Sequence, residues 1–266
     1  MRRSPVMTMM IRAAEKAGRA ILRDFGEVEH LQASRKGPRD FVTVADEKAE
    51  RILREELQRA RPRFGLLMEE SGEIEGEDTS HRFVIDPIDG TTNFMHGIPF
   101  FAISVALEES REAVAGVVYN PATDELFWAE RNEGAYLHDR RLRASGRTAL
   151  ADALVATPPY VPAAHDFAEW RAITTALADA TTIRSYGAAS LNLAYVAAGR
   201  LDGYVETGLK PWDSAAGGII LQEAGGAITD FAGGKQWLKS GDVVAGCANL
   251  QPKLLEIAAQ ARKSVA

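Results

Sequence analysis

Apolar residues in the first part of the chain recur every three or four positions. Met10, Ile11, Ala14, Ala17, Ile21, Leu22 and Phe25 fall on one face with charges on the other, which predicts an amphipathic helix over 6–25. Ala49, Ile52, Leu53 and Leu57 repeat the pattern and predict a second helix that opens near Asp46, with Asp46 as its N-cap, and stops at Pro62. The period then shortens. Apolar runs at 64–68, 83–86, 101–107, 113–119 and 125–129 read as strands. Beyond Arg147 the pattern changes again, to an apolar run at 154–157, a helix at 166–180, and short strands alternating with helical segments at 191–198 and 214–223. The order predicts an α+β lobe over 1–147 followed by an α/β lobe over 148–266. The proline-rich stretch from Thr157 to Pro162 reads as a stiff loop near the boundary.

With 266 residues and 46% hydrophobic content the chain has enough apolar material for a substantial core. A formal charge of -6 argues against a nucleic-acid surface, and so against a nuclease. Cys247 is the only cysteine, which excludes an internal disulfide and a thiolate metal cluster and agrees with a reducing cytoplasm. Arg12, Glu15 and Lys16 interrupt the N-terminal apolar run before a secretory core forms, and no run reaches membrane-spanning length.

The chemistry concentrates in Asp86-Pro87-Ile88-Asp89-Gly90-Thr91-Thr92-Asn93-Phe94. Asp86 ends an apolar strand and Pro87 prevents the ladder from simply continuing. Gly90 admits backbone angles closed to other residues, after which Thr91, Thr92 and Asn93 open a helix whose first N–H groups suit an anion. Asp-Pro and Asp-Gly are also ordinary turn formers, and Thr and Asn ordinary caps. Two acids held this close resist desolvation without a cation.

Glu69-Glu70-Ser71 follows the apolar run 64–68, so Glu69 also stands at a strand end, whereas Glu73, Glu75, Glu77 and Asp78 read as solvated charge. Asp213, in Lys210-Pro211-Trp212-Asp213-Ser214-Ala215-Ala216-Gly217-Gly218, opens a helix of small residues. It either caps that helix or serves a site at a crowded junction. Glu69, Asp86, Asp89, Asp213 and the Ile88 carbonyl form an oxygen-only donor set suited to Mg2+. The five histidines show no paired ligand spacing, and His96 reads as structural.

These three segments resemble the signatures of the inositol monophosphatase family, and the resemblance runs over nearly the whole chain. Lys36 with the segment from Asp40 to Asp46 resembles the family's N-terminal element, and the segment from Arg184 to Asn192 its substrate segment. The resemblance implies a layered αβαβα sandwich, commonly dimeric and often lithium-sensitive. It implies that Glu69, Asp86 and the Ile88 carbonyl hold one Mg2+, that Asp86, Asp89 and Asp213 hold a second, and that a third ion is an option. Thr91, polarised by Asp46, and Glu69 would orient the attacking water. Gly90 and Thr91 N–H groups would grip phosphate, while Asp89, Ala189 and Glu206 would meet substrate hydroxyls. Lys36 and Glu70 are further candidates. Met68 and Ala188 depart from the family pattern: Met68 adds bulk beside Glu69, and Ala188 removes a hydroxyl near the sugar. The expected activity is hydrolysis of a small polyol or sugar phosphate monoester, foremost myo-inositol 1-phosphate. Histidinol phosphate and fructose 1,6-bisphosphate are the alternative substrates, and a protein-binding regulatory dimer is the alternative of another class.

Overall fold

Strand alternation sorts side chains onto two faces, and here both faces are covered by helices. The computed structural model describes residues 3–25, 33–37, 40–160 and 166–265, and for 33–37 and 40–43 the backbone alone. Helices α1 (Pro5–Phe25) and α2 (Val44–Ala60) enclose an antiparallel ribbon of β1 (Ala33–Gly37) and β2 (Asp40–Thr43). Then come β3 (Phe64–Met68), β4 (Gly72–Ile74), β5 (Asp78–Asp89), α3 (Thr91–Met95), β6 (Ala102–Glu109), β7 (Glu112–Asn120), β8 (Glu125–Glu130), β9 (Gly134–Leu137) and β10 (Arg140–Arg141). They form an eight-stranded sheet in the order β10-β9-β8-β7-β6-β5-β3-β4, antiparallel except where β3 lies parallel to β5.

A 3-10 turn (Leu150–Asp152) leads to β11 (Leu154–Ala156), α4 (Phe167–Ala180), β12 (Thr182–Arg184), α5 (Ala189–Ala197), β13 (Gly203–Glu206), α6 (Pro211–Glu223), β14 (Gly226–Thr229), α7 (Trp237–Ser240), β15 (Val243–Cys247) and α8 (Gln251–Lys263). The second sheet has the order β12-β11-β13-β15-β14, with β15 antiparallel to both its neighbours.

Helices α1 and α2 pack on the outer face of the first sheet, α5 and α6 lie between the sheets, and α4 and α8 cover the far face of the second, giving the expected αβαβα sandwich. Along β5, Phe83 and Ile85 pack with Met10, Ile21 and Leu53, whereas Val84 packs with Ala216 and Ile220. The middle layer is tight. A Cβ on Gly116 of β7 would lie 2.6 Å from Ile219 Cγ2 and 2.7 Å from the Ala216 carbonyl oxygen, so glycine there lets α6 approach the sheet.

The predicted strands at 64–68, 113–119 and 125–129 correspond to β3, β7 and β8, and the helix at 166–180 to α4, capped by Asp166. Three readings change. Asp46 is not the N-cap of α2, because the helix already begins at Val44 and Asp46 is a buried residue of its first turn. Met68 puts its bulk into the core shared with α1 and α2, where its side chain is fully buried. Finally, β5 does not end at Asp86. Its pairing with β6 passes from Asp86↔Ser104 to Asp89↔Ala102, one extra residue on β5, so the strand absorbs Pro87 in a bulge. Short β4, β9 and β10 carry too few residues for a readable alternation, and β4 includes Glu73 of the charged run.

Candidate active site

The bulge delivers the central acids. Pairing of Met68 with Ile85 in the parallel β3–β5 ladder places the residues that follow, Glu69 and Asp86, side by side where that ladder ends, toward the carboxyl ends of the strands. Parallel strands present ligands at this edge. Glu69 donates its N–H to the Ile85 carbonyl at 3.2 Å. Asp86 is 2% exposed, and its Oδ1 accepts the Ile88 N–H at 3.0 Å, a side-chain turn that stiffens the bulge. Asp89 points the same way after the bulge. Gly90 then takes φ 91°, ψ 37°, and a Cβ there would stand 3.1 Å from the Phe100 carbonyl oxygen and 3.2 Å from Ala188 Cβ. The left-handed step starts α3 at Thr91, as its sequence predicts.

Asp213 arrives from α6. Ser104, opposite Asp86 on β6 and buried, donates its hydroxyl to the Trp212 carbonyl at 3.0 Å and so anchors the start of α6 beside Asp86. Asp213 Oδ2 also accepts the Lys210 N–H at 2.6 Å, so the residue caps its helix and serves the junction at once. Asp89 is held by another helix start. Its Oδ1 accepts the Ala189 N–H at 3.1 Å, and its Oδ2 accepts the Ser190 N–H at 2.7 Å and the Ser190 hydroxyl. Asp89 thereby supplies α5 with the cap that Ala188 lacks.

Asn93 joins the two halves. Its side-chain amide donates to the Phe100 and Tyr186 carbonyls, both at 2.7 Å, and the two rings stack at 4.7 Å. The Thr91 hydroxyl lies 3.0 Å from the Ile88 carbonyl and 3.4 Å from Asp46 Oδ1, so its one proton has two acceptors. Glu206, at the end of β13, accepts the hydroxyl of buried Tyr204.

Acidic groups collect here. Burial first, then the negative charges of Glu69, Asp89 and Asp213, push the Asp86 carboxyl well above the ordinary range. Burial does the same to Asp213, with Asp89, Glu69 and Glu206 adding to it against the Lys210 N–H. Burial raises Asp89 to about 7, and Glu206 adds to the rise, although the hydrogen bonds from Ser190 and Ala189 oppose it. Mutual repulsion among buried acids is what a divalent cation relieves, and an all-oxygen set suits a hard one. These residues fit such an ion by chemistry. Among the described residues no three of the acids stand close enough together to hold one, and Asp86, Asp89 and Asp213 each accept from a backbone N–H. Each carboxylate retains lone pairs for a further partner.

Glu69, Asp86, Ile88, Asp89, Gly90, Thr91, Asp46 and Asp213 thus border one region, with Glu206 in electrostatic reach. Glu70 sits beside Glu69 in the turn, where its N–H reaches Glu50. Ala189 spends its N–H on Asp89. Ala188 is buried at the start of α5, near Gly90. Lys36 lies on β1, and its side chain falls outside the described residues. Sequence reasoning missed Ser104, Ser190 and Glu50, and it read Asn93 only as a residue that opens a helix. Their one signal is a polar residue interrupting an apolar face.

Comparison with known proteins agrees with the geometry. The model of the inositol monophosphatase family matches residues 2–265. An inositol-1-monophosphatase of Mesorhizobium japonicum is 51% identical over 257 residues, 96% of this chain and 97% of the relative. A protein of Vibrio cholerae named Nus factor SuhB is 41% identical over 242 residues, 91% of each chain. The crystal structure of the extragenic suppressor protein suhB of Bartonella henselae superimposes with a TM-score of 0.92 at 50% identity, over 96% of this chain and 98% of that one. The layered fold, the convergent acids and the end-to-end match together make this chain a member of the inositol monophosphatase family, a phosphatase of phosphate monoesters.

Proposed function

We propose that the protein is a Mg2+-dependent phosphatase that releases inorganic phosphate from a small polyol or sugar phosphate monoester, foremost myo-inositol 1-phosphate. One observation carries the reading: acids of β5 and of the start of α6, Asp86, Asp89 and Asp213, meet in one buried region, where the charges of Asp89 and Asp213 raise the proton affinity of Asp86 and that of Asp89 raises Asp213. Glu69, Asp86 and the Ile88 carbonyl would hold one Mg2+, and Asp86, Asp89 and Asp213 a second, with a third ion as an option. When bound, such ions activate water, neutralise phosphate and stabilise a leaving alkoxide.

The chain's own residues do the positioning. Thr91 would pass its proton to Asp46, one of its two acceptors, and its oxygen would accept a proton from the attacking water. Glu69 orients that water from the other side. Gly90 and Thr91 N–H groups receive phosphate oxygens at the opening of α3. Glu206, which accepts from Tyr204, would meet a substrate hydroxyl, with Asp89 and Ala189 on the same wall. Lys36 and Glu70 are further candidates for substrate contact. No Ser or Cys nucleophile is required, since phosphoryl transfer depends mainly on alignment and charge stabilisation.

Residues 1–147 would form the lobe with most of the acids, and 148–266 the lobe that brings Asp213 and the substrate contacts. Among the described residues no helix is long and apolar enough to cross a membrane. A lithium-sensitive cytoplasmic homodimer completes the proposal. Phosphate release from inositol 1-phosphate, histidinol phosphate, fructose 1,6-bisphosphate and adenosine 3′,5′-bisphosphate, compared by kcat/KM with Mg2+ and with excess chelator, tests it. Undiminished turnover in chelator sinks the cation requirement, and preference for another substrate sinks the inositol assignment alone.

The Vibrio cholerae relative named as a Nus factor favours a second reading, a protein-binding regulatory role beside catalysis. Pull-down from cell extract with Asp213→Asn separates the two, because partners retained without turnover identify an independent binding surface.

A further inference from the structure

We propose that Glu50 is a positioning residue for phosphate-ester hydrolysis, holding the loop that carries Glu69 in register with Thr91. Glu69-Glu70-Ser71 is the three-residue loop of the β3–β4 hairpin, closed by Met68 opposite Gly72, which takes φ 77°. Loops of this length leave backbone donors for another element to satisfy. Here α2 satisfies them. Glu50 is 3% exposed, one Oε accepts the Glu70 N–H at 2.8 Å, and the other accepts the Ser71 hydroxyl.

Glu50 stands four residues after Asp46, so both project from one face of α2. Asp46 addresses Thr91 at the start of α3, and Glu50 addresses the loop of Glu69. One rigid helical turn therefore sets the distance between the two groups expected to direct water. Two carboxylates one turn apart repel, and apolar residues at both positions would pack with less cost. The donors they serve explain why acids stand there.

The loop also borders an open crevice of about 350 Å3 lined by Glu47, Glu50, Arg51, Arg54, Glu70 and Ser71. Water entering it can hydrate the freed donors when Glu50 is replaced, so the chain still folds while the loop loses its fixed register. The inference rests on the proposed role of Glu69.

The test measures kcat, KM, and the Mg2+ concentration for half-maximal phosphate release, with thermal midpoints, in wild type, Glu50→Gln and Ser71→Ala. Glu50→Gln keeps the shape but can accept through only one of its two ends. It is expected to lower kcat or raise the Mg2+ requirement by ~10–100-fold, the usual range for partners that orient ligands, with KM within about twofold. Ser71→Ala, which removes one bond and no charge, is expected to move the same parameters less. Folded variants with wild-type kcat and Mg2+ requirement overturn the proposal. So does a loss that only tracks the folded fraction. If Glu50→Gln does not fold, an unchanged Ser71→Ala overturns it. Wild-type turnover undiminished by chelator overturns the cation reading instead, and the kcat ratios still decide the role of Glu50.

Discussion

The end of β5 and the starts of α5 and α6 place acids in the same site by opposite means. At β5 the geometry is local: Asp86, Pro87, the bulge and Gly90 fix two carboxylates within a few residues, and the sheet on either side holds them. At the helix starts nothing is local. Asp213 depends on Ser104 of β6, more than a hundred residues earlier, to hold the Trp212 carbonyl, and α5 is capped by Asp89, a hundred residues earlier. Local geometry is stiff but cannot bring two sheets together. Helix starts can, because their unused N–H groups seek anions wherever the chain supplies them.

The largest expected effect comes from removing charge at each side in turn. Asp89→Asn and Asp213→Asn should each lower kcat by at least ~10²–10³-fold, the scale for deleting one preorganised charge stabiliser. Thermal midpoints without Mg2+ should hold or rise, since each change removes a buried repelling charge. Steady-state phosphate release and a melt of the same samples read both. Retained activity in either variant, or a collapse of the fold, would show that the acids are structural.

The contrast also explains what could be read in advance. Asp86, Asp89 and Glu69 stand out because each follows an apolar strand, and Gly90 because the turn needs it. The helix of small residues after Asp213 announced the close packing seen at Gly217, whose added Cβ would meet Leu193 Cβ at 2.6 Å. Ser104 lies inside the apolar run 101–107, Ser190 in a helix of mostly small and apolar residues, and Glu50 between Ala49 and Leu53. Their roles exist only once distant segments meet, so no spacing along the chain encodes them. The Asp46 expectation failed for the converse reason. Its type suits a cap, but the helix gained two earlier residues and a tertiary partner, Thr91, claimed the side chain.

A middle-sized effect separates local from long-range placement by adding one methyl group to each region. Gly90→Ala meets both a left-handed backbone and the Phe100 carbonyl, and should cost about 1–3 kcal/mol and re-aim α3. Gly217→Ala presses α5 and α6 apart at Leu193 and the Ser190 carbonyl, with a similar penalty of about 1–3 kcal/mol for overpacking. Denaturant melts should show comparable losses of stability. The site should respond differently. Gly90→Ala moves Thr91 directly, whereas Gly217→Ala spreads its strain along two helices, so the former should lose more kcat per kcal/mol of stability lost. Equal activity losses at equal stability would mean that the two regions are not distinct.

The smallest effect is in the pH dependence of stability without a cation. Asp89 has a folded-state pKa of about 7 against an ordinary 3.8, and Asp86 and Asp213 are displaced in the same direction. Between those values the folded chain binds more protons than the unfolded one, so stability falls as pH rises. The contribution is fully present below about pH 4 and lost once pH passes about 7. Chelator-treated protein should therefore melt at progressively lower temperature from pH 5 to 7.5, each kcal/mol lost lowering the midpoint by about 2–4 °C in a chain of roughly this size. Saturating Mg2+ should raise the midpoint most at the alkaline end, because it binds the ionised acids and competes with their protons. In Asp89→Asn the slope should shrink but persist, since Asp86 and Asp213 still titrate. A flat profile in the chelated wild type would mean that the β5 end and the start of α6 do not bury these acids together, and that the two placements never form one site.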